Sequence, residues 1–281
     1  EVRQAVALLP EYDKIQDSQG NVPEYKNVPC KGAANALLAH LCAMKAGWKW
    51  FARPEDQNFN EQEYWEEAEK ACTSIIGSET AQSAGIYHLV ATPEEVSTVV
   101  FKGKSTESIF EMRYAPYWDE IGKNMDSEYY TTYLDSWALT YCYWVLLVEI
   151  NGSGLDCIKD QKQLIRASTV DKWFPKGDLR RETYFWKLDS MNHDTLRYVT
   201  GGFAYPYLFR DLNVKTTSGN KGRFDHFNYN AVFWRLADIY LLRAECRSRL
   251  NKRDEAIADL NAVRARAQAK MYDASEYADT E

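Results

Sequence analysis

The stretch "RLADIYLLRAECRSRL" (residues 235–250) runs directly into "NKRDEAIADLNAVRARA" (251–267). Two helical patterns stand on either side of a break of three or four residues. The first helix, read from just before the quoted stretch, offers Phe233, Ala237, Tyr240, Leu241 and Ala244 to a core; the second offers Ala256, Leu260, Val263 and Ala267, spaced four, three and four. Asn251 stands where a left-handed residue ends a helix, and Asp254 and Glu255 stand at the positive start of the next. Arginines crowd both halves. The stretch is therefore a basic face for a polyanion, a partner for another helix, or one repeat of a scaffold.

Charge decides among these. Asp238, Glu245, Asp254, Glu255 and Asp259 answer the arginines locally, and the whole chain carries 34 basic against 41 acidic side chains, a net charge of −7. Nucleic-acid binders carry a basic domain or stripe, and none is present, so no nucleic-acid partner is expected. At 45% apolar and 27% charged, the 281 residues have the composition of a globular protein. Nine Trp and nineteen Tyr supply side chains with an apolar face and a polar handle, suited to cores and to wet binding surfaces alike.

The six cysteines (Cys30, Cys42, Cys72, Cys142, Cys157 and Cys246) form no CxxC pair and no metal-ligand spacing. Cys42, Cys72, Cys142 and Cys246 lie in apolar helical surroundings and read as packing residues. The longest nearly apolar run, "WALTYCYWVLLVEI" (137–150), is too short to span a bilayer and reads as a buried helix or strand. "EVRQAVALLPEYDK" at the start looks like the end of a helix rather than a secretion leader. The chain is thus expected to begin, and with "YDASEYADTE" to end, inside a longer protein.

A second helical pair precedes the first-quoted one. A helix fits 31–46, with Ala34, Leu37, Leu38, Leu41 and Met44 at helical spacing and Gly47 as the stop. Another fits 61–76: Asn60 can cap it while Glu63 reaches back, Tyr64, Ala68, Ala71, Cys72 and Ile75 form one stripe, and Gly77 ends it. "ESIFEMRY" (107–114) alternates, with Phe110, Met112 and Tyr114 on one side, and reads as a strand. From 115 to about 230 the sequence is irregular, with evident loops at 151–156 and 216–223. Both helical pairs place alanines (Ala39, Ala68, Ala244, Ala256) where neighbouring helices approach, in the manner of tetratricopeptide repeats. The first copy carries an inserted loop around Trp48, Trp50, Phe51 and Phe59, which reads as packing or as partner contacts.

The order of segments carries more than any single one. "KGAANALLAHLCAMKAGW", "YWEEAEKACTSIIGS", "GIYHL", "ESIFEMRY", "FPKGDLRRETYF" and "NAVFWRLADIYLLRAECRSRLNKRDEAIADLNAVRARAQ", in that order, resemble the SusD/RagB family. The resemblance covers nearly the whole chain. It implies a mostly α fold over 1–281, a partial single domain with helix pairs near 31–76 and 233–268, a minor β element, and a ligand face near 107–230. It also implies surface-exposed glycan- or nutrient-binding lipoproteins of Bacteroidota outer membranes, docked as a lid on a SusC-like TonB-dependent transporter. The family's acylated N-terminal Cys, its first helical repeats and its later "ER…EL…EG…R…DL" helix have no counterpart in these residues, so any membrane attachment is expected through a lipid anchor outside them. Within "DKWFPKGDLRR", which contains Trp173 and Phe174, the family's Asp-Arg-Arg element reads Asp178-Leu179-Arg180-Arg181, and Asp178, Arg180 and Arg181 are expected to be structural and salt-bridged.

No catalytic or cofactor site is expected. His40, His88, His193 and His226 fall in no metal motif, and "NGSG" (151–154) lacks the third glycine and the strand–helix flanks of a dinucleotide loop. Carboxylates such as Glu107, Glu111, Asp119 and Glu120 are abundant, but spacing in sequence selects no glycosidase pair among 41 acids. Binding has the better case. A sugar presents apolar C–H faces and a rim of hydroxyls, and so is held by flat aromatics with a few placed polar groups. "YAPYWDEIGKNMDSEYYTTYLDSW" (114–137) supplies them: Tyr117, Trp118, Asp119, Asn124, Tyr130 and Trp137 are the candidate glycan-binding residues, with Tyr129 and Tyr133 beside them. The alternative for each ring is that it fastens the loop to the scaffold. At the level of the molecule, the rival is a tetratricopeptide adaptor that binds protein and no sugar.

Overall fold

The computed structural model describes residues 1–49, 51–77, 86–112, 165–185, 188–191, 203–204, 207–208, 212–214, 224–227 and 229–275. Helix α1 (Val2–Leu8) opens the chain and packs on α2 (Lys31–Trp48), which pairs with α3 (Glu61–Ile76). A short helix α4 (Pro93–Thr98) precedes strand β1 (Ser108–Met112). Later come β2 (Ile165–Arg166), α5 (Ala167–Trp173), α6 (Arg180–Tyr184), α7 (Leu188–Met191), β3 (Phe203–Ala204), β4 (Leu212–Val214), β5 (Phe224–Phe227) and β6 (Ala231–Arg235). The second helical pair, α8 (Leu236–Arg249) and α9 (Arg253–Arg266), follows β6 directly. The architecture is mostly α, and among the described residues there are three small antiparallel ladders: β1 with β6, β2 with β3, and β4 with β5.

The helix pairs stack. α8 packs against α3 on one side and α9 on the other, and one apolar core joins Ala36 and Ala39 of α2, Ala71, Cys72, Ile75 and Ile76 of α3, Leu236, Ala237, Ile239 and Tyr240 of α8, and Val263 of α9. A second cluster closes the other end of α2 and α3 with Cys42, Ala43, Ala46, Trp65, Ala68 and Cys246. Helices α2 and α3 thus meet through small side chains, which let their backbones approach closely. This reverses part of the sequence reading. Leu37, Leu41 and Met44 lie on the outward side of α2, Met44 at 70% exposure, while the buried side is Ala36, Ala39, Cys42, Ala43 and Ala46. The large residues and the alanines have the same helical period, so spacing alone does not say which set turns inward.

Helix ends follow local chemistry, with three differences from expectation. α2 continues through Gly47, which is absent from the glycines of positive φ, and a glycine stops a helix only by turning left-handed. Phe233 belongs to β6 rather than α8, because the chain stays extended until Arg235. At the start of α3 the Gln62 amide donates to the Asn60 side chain as expected, yet Glu63 accepts from the Asn60 side-chain amide instead of the backbone. An Asn cap carries a donor of its own, which a Ser or Thr cap lacks as an amide. Gly77 (φ 81) ends α3, and Asn251 (φ 59) makes the left-handed turn between α8 and α9. Within 115–230, the described elements span two to seven residues, too short to show a period in sequence.

Candidate functional site

Strand β1 pairs with β6 so that Phe110 lies opposite Trp234 and Met112 opposite Ala231. Alternation along β1 turns Ile109 and Glu111 inward and leaves Phe110 and Met112 on the other side. Phe110, Phe233 and Trp234 form a continuous set of ring contacts with centroids 5.8, 6.0 and 6.3 Å apart. His40 of α2 stacks on Trp234 at 6.0 Å with the planes 22° apart. Phe233 is 51% exposed and Met112 43%, so one side of this ring set meets solvent. Burial lowers the His40 pKa below the ordinary imidazole value, against a smaller opposing pull from Asp238. His40 is thereby kept neutral at pH 7 and adds a flat uncharged ring to the cluster.

Beneath the rings lie buried charges. Glu107, fully buried at the start of β1, accepts from Arg235 at 3.1 Å, from Arg266 of α9 and from the backbone N–H of Val90. Arg243 of α8 donates to both carboxylate oxygens of Asp259 of α9, at 2.8 and 2.6 Å, each side chain 3% exposed. Asp259 also accepts from Arg247, which reaches Glu69 of α3, and Glu69 in turn takes Lys252. Arg249 lies over the Trp65 ring at 5.8 Å. Arg235, Arg243, Arg247 and Arg266 of the 235–267 stretch are therefore spent on acids within the helix stack, whereas Arg253 and Arg264 turn to the segment after α9. Of the five nearby acids read from the sequence (Asp238, Glu245, Asp254, Glu255 and Asp259), Asp238 and Asp259 pair with these arginines and Glu255 offers its backbone carbonyl to Arg247; Glu69 and Glu107 lie too far away in sequence to have been matched.

Asp178 binds Arg180 with both oxygens, at 3.0 and 2.7 Å, as expected of a structural element. Its neighbour Arg181 is buried and turns elsewhere, to Asp171, Asp189 and the Phe174 carbonyl. Cys30, Cys42, Cys72 and Cys246 are buried free thiols, and burial raises Cys42 and Cys246 to about 12. Trp48 and Phe51 are exposed at 58% and 81%, whereas Phe59 meets Tyr64 edge-on under the Lys45 ammonium. The glycan-binding candidates Tyr117, Trp118, Asp119, Asn124, Tyr130 and Trp137, with Trp50, Cys142, Cys157, Asp119's neighbour Glu120, His193 and the apolar run 137–150, lie outside the described residues. The Phe110–Phe233–Trp234–His40 set was missed by the sequence reading. Its signal was the pairing of "IFEM" with "AVFW", two aromatic strands that only the tertiary structure brings side by side. Among the described residues no group of three or more His, Cys, Asp and Glu could hold a metal ion, and no helix is long and apolar enough to cross a membrane.

The sequence profile of the SusD family matches residues 121–281, more than half of the chain. The chain belongs to the SusD family. Among curated proteins, this SusD-family chain is 34% identical over 117 residues to SusD-like protein P25 of Formosa agariphila, which is 42% of this chain and 18% of that protein. Solved structures share its fold, among them the following three. Surface glycan-binding protein A from Bacteroides uniformis aligns with a TM-score of 0.59 at 17% identity, over 96% of this chain and 49% of its own. Surface glycan-binding protein A from Bacteroides thetaiotaomicron, in complex with laminarihexaose, gives 0.55 at 20%, over 97% and 54%. A SusD homolog from Bacteroides thetaiotaomicron gives 0.56 at 18%, over 92% and 46%. The SusD-family chain thus spans about half the length of these solved relatives and under a fifth of the curated one.

Proposed function

We propose that this chain serves a non-catalytic protein of the bacterial cell surface, one that captures an oligosaccharide and passes it to a SusC-like TonB-dependent transporter in the outer membrane. The SusD profile over residues 121–281 is the observation that carries this reading. The name and bound laminarihexaose of one structural relative support a glycan as the ligand class. The chemistry agrees. A sugar ring's C–H face lies against flat aromatics while nearby polar groups take its hydroxyls. The 114–137 segment supplies Tyr117, Trp118, Asp119, Asn124, Tyr130 and Trp137 for this, and it follows directly from strand β1, whose Phe110 belongs to a half-exposed ring set.

A glycan array probed with the 281-residue chain tests the ligand class, and titration of the best oligosaccharide against Trp118→Ala tests the site. The expected result is binding of defined oligosaccharides, weakened at least tenfold by the substitution, as aromatic anchors dominate where they make contact. Unchanged affinity in Trp118→Ala would remove the leading member of the cluster. A docking role without sugar is the rival, favoured by the outward apolar residues Leu37, Leu41, Met44 and Trp48 of α2. A silent array together with tight binding to a purified SusC-like transporter would establish that rival instead.

A further inference from the structure

Helix α9 is followed by a short segment held in an unusual way. Arg253, Asn261 and Arg264 are eight and three residues apart and share one face of α9. Arg264 Nε donates to the Lys270 carbonyl at 2.6 Å, the Asn261 side-chain amide donates to the Tyr272 carbonyl at 2.9 Å, and Arg253 donates to the Ala274 carbonyl at 2.8 Å. Asn261 Oδ1 also accepts from the Tyr272 N–H at 2.8 Å, so one amide side chain satisfies both backbone groups of a single residue. The carbonyls engaged belong to every second residue: Lys270 and Tyr272 follow the repeat of an extended backbone, whose alternate residues point to the same side, and Ala274 presents its carbonyl from a turn in which Asp273 accepts from the Ser275 N–H and hydroxyl. The segment runs antiparallel to the helix, with later residues meeting earlier turns of α9.

We propose that this face of α9 is a clamp for the backbone of an extended peptide, and that residues 270–274 are its resident occupant. The clamp reads main-chain groups, so it is indifferent to most side chains. One side chain is recognised: the Arg264 guanidinium lies 4.1 Å from the centre of the Tyr272 ring, a cation–π contact. The ligand class is therefore an extended polypeptide segment of a partner with an aromatic residue in the Tyr272 position. The resident segment is suited to exchange. Its root is fixed by Ala267 and Ala269, which are 1% and 6% exposed, but Met271 and Tyr272 beyond it are 46% and 42% exposed. Hydrogen bonds with little apolar burial hold it, and such segments open locally without unfolding the core.

The test uses the full chain and a fluorescein-labelled peptide of residues 269–275, blocked at both ends. Tyr272→Pro deletes the N–H and the ring that the clamp holds, and so loosens the resident segment enough for a peptide to compete with it. By fluorescence anisotropy, Tyr272→Pro is expected to bind the peptide at least tenfold more tightly than the unaltered chain. Adding Asn261→Ala is expected to abolish that gain, and a peptide with Ala at the Tyr272 position should bind more weakly. No binding to Tyr272→Pro, or binding that ignores Asn261→Ala, overturns the proposal. Amide hydrogen exchange gives an independent reading in the unaltered chain. The Tyr272 amide should be protected, should open faster than the amides of α9, and should lose protection in Asn261→Ala; an unprotected Tyr272 amide overturns the clamp whatever the variants do.

Discussion

Lys26 is 6% exposed, donates to the Ser105 carbonyl, and lies over the rings of Tyr12 and Tyr87 at 5.5 and 5.0 Å. Burial lowers its pKa from 10.5 to about 8, only partly opposed by the charge of Glu111, itself pushed up by burial. Below about pH 8 the lysine is charged whether folded or unfolded, and the cost of burying that charge is fully present. Between about 8 and 10.5 the unfolded chain binds the proton more tightly, so this group's contribution to stability rises with pH, by on the order of 3 kcal/mol in all. Raised groups such as Tyr12, pushed up to about 12, act in the opposite sense at alkaline pH, so the measurement is a difference. Urea unfolding of the unaltered chain minus that of Lys26→Met should grow more favourable from pH 7.5 to 10.5; a flat difference would refute the lowered pKa. None of this was legible in the sequence. A lysine between Tyr25 and Asn27 announces nothing until Ser105 and Glu111, about eighty residues on, close over it.

At the scale of the element, α2 was found correctly and turned the wrong way. Its inward side is mainly alanine and cysteine, because the helices must approach closely along their length; Leu37 and Leu41 face out, and Leu38 packs at the edge of both core clusters. Ala39 is fully buried in the core shared with α3 and α8. Ala39→Leu therefore forces the helices apart and is expected to cost about 1–3 kcal/mol in urea unfolding. Leu41→Ala, at a residue 44% exposed, is expected to change stability by under about 0.5 kcal/mol. Equal losses from the two would mean that the orientation of α2 is other than described. Caps fared better than faces: Asn60, Gly77 and Asn251 were legible because a helix end depends on φ and on the nearest side chain, both local.

Among the described residues, Glu107 ties distant parts of the chain together. This one carboxylate joins β1 to Arg235, at the junction of β6 and α8, to Arg266 near the end of α9, and to the backbone at Val90. Glu107→Ala would leave Arg235 and the 6%-exposed Arg266 without their shared buried partner, a loss of about 3–5 kcal/mol. A double-mutant cycle with Arg266→Ala should show a coupling of about 1–3 kcal/mol, and strict additivity would show that the pair does not bridge the elements. Family membership, helix pairing and the dense arginine–acid pattern of 235–267 were all determined by the sequence, since periodicity, caps and nearby charges are local and repeat along the chain. The tertiary structure alone decided which side of α2 is buried, which distant acids, Glu69 and Glu107, hold the arginines, and that two aromatic strands far apart in sequence, Ser108–Met112 and Ala231–Arg235, form one ring surface. Those facts depend on contacts between residues far apart in sequence, and a local pattern carries no record of its distant neighbour until the chain has folded.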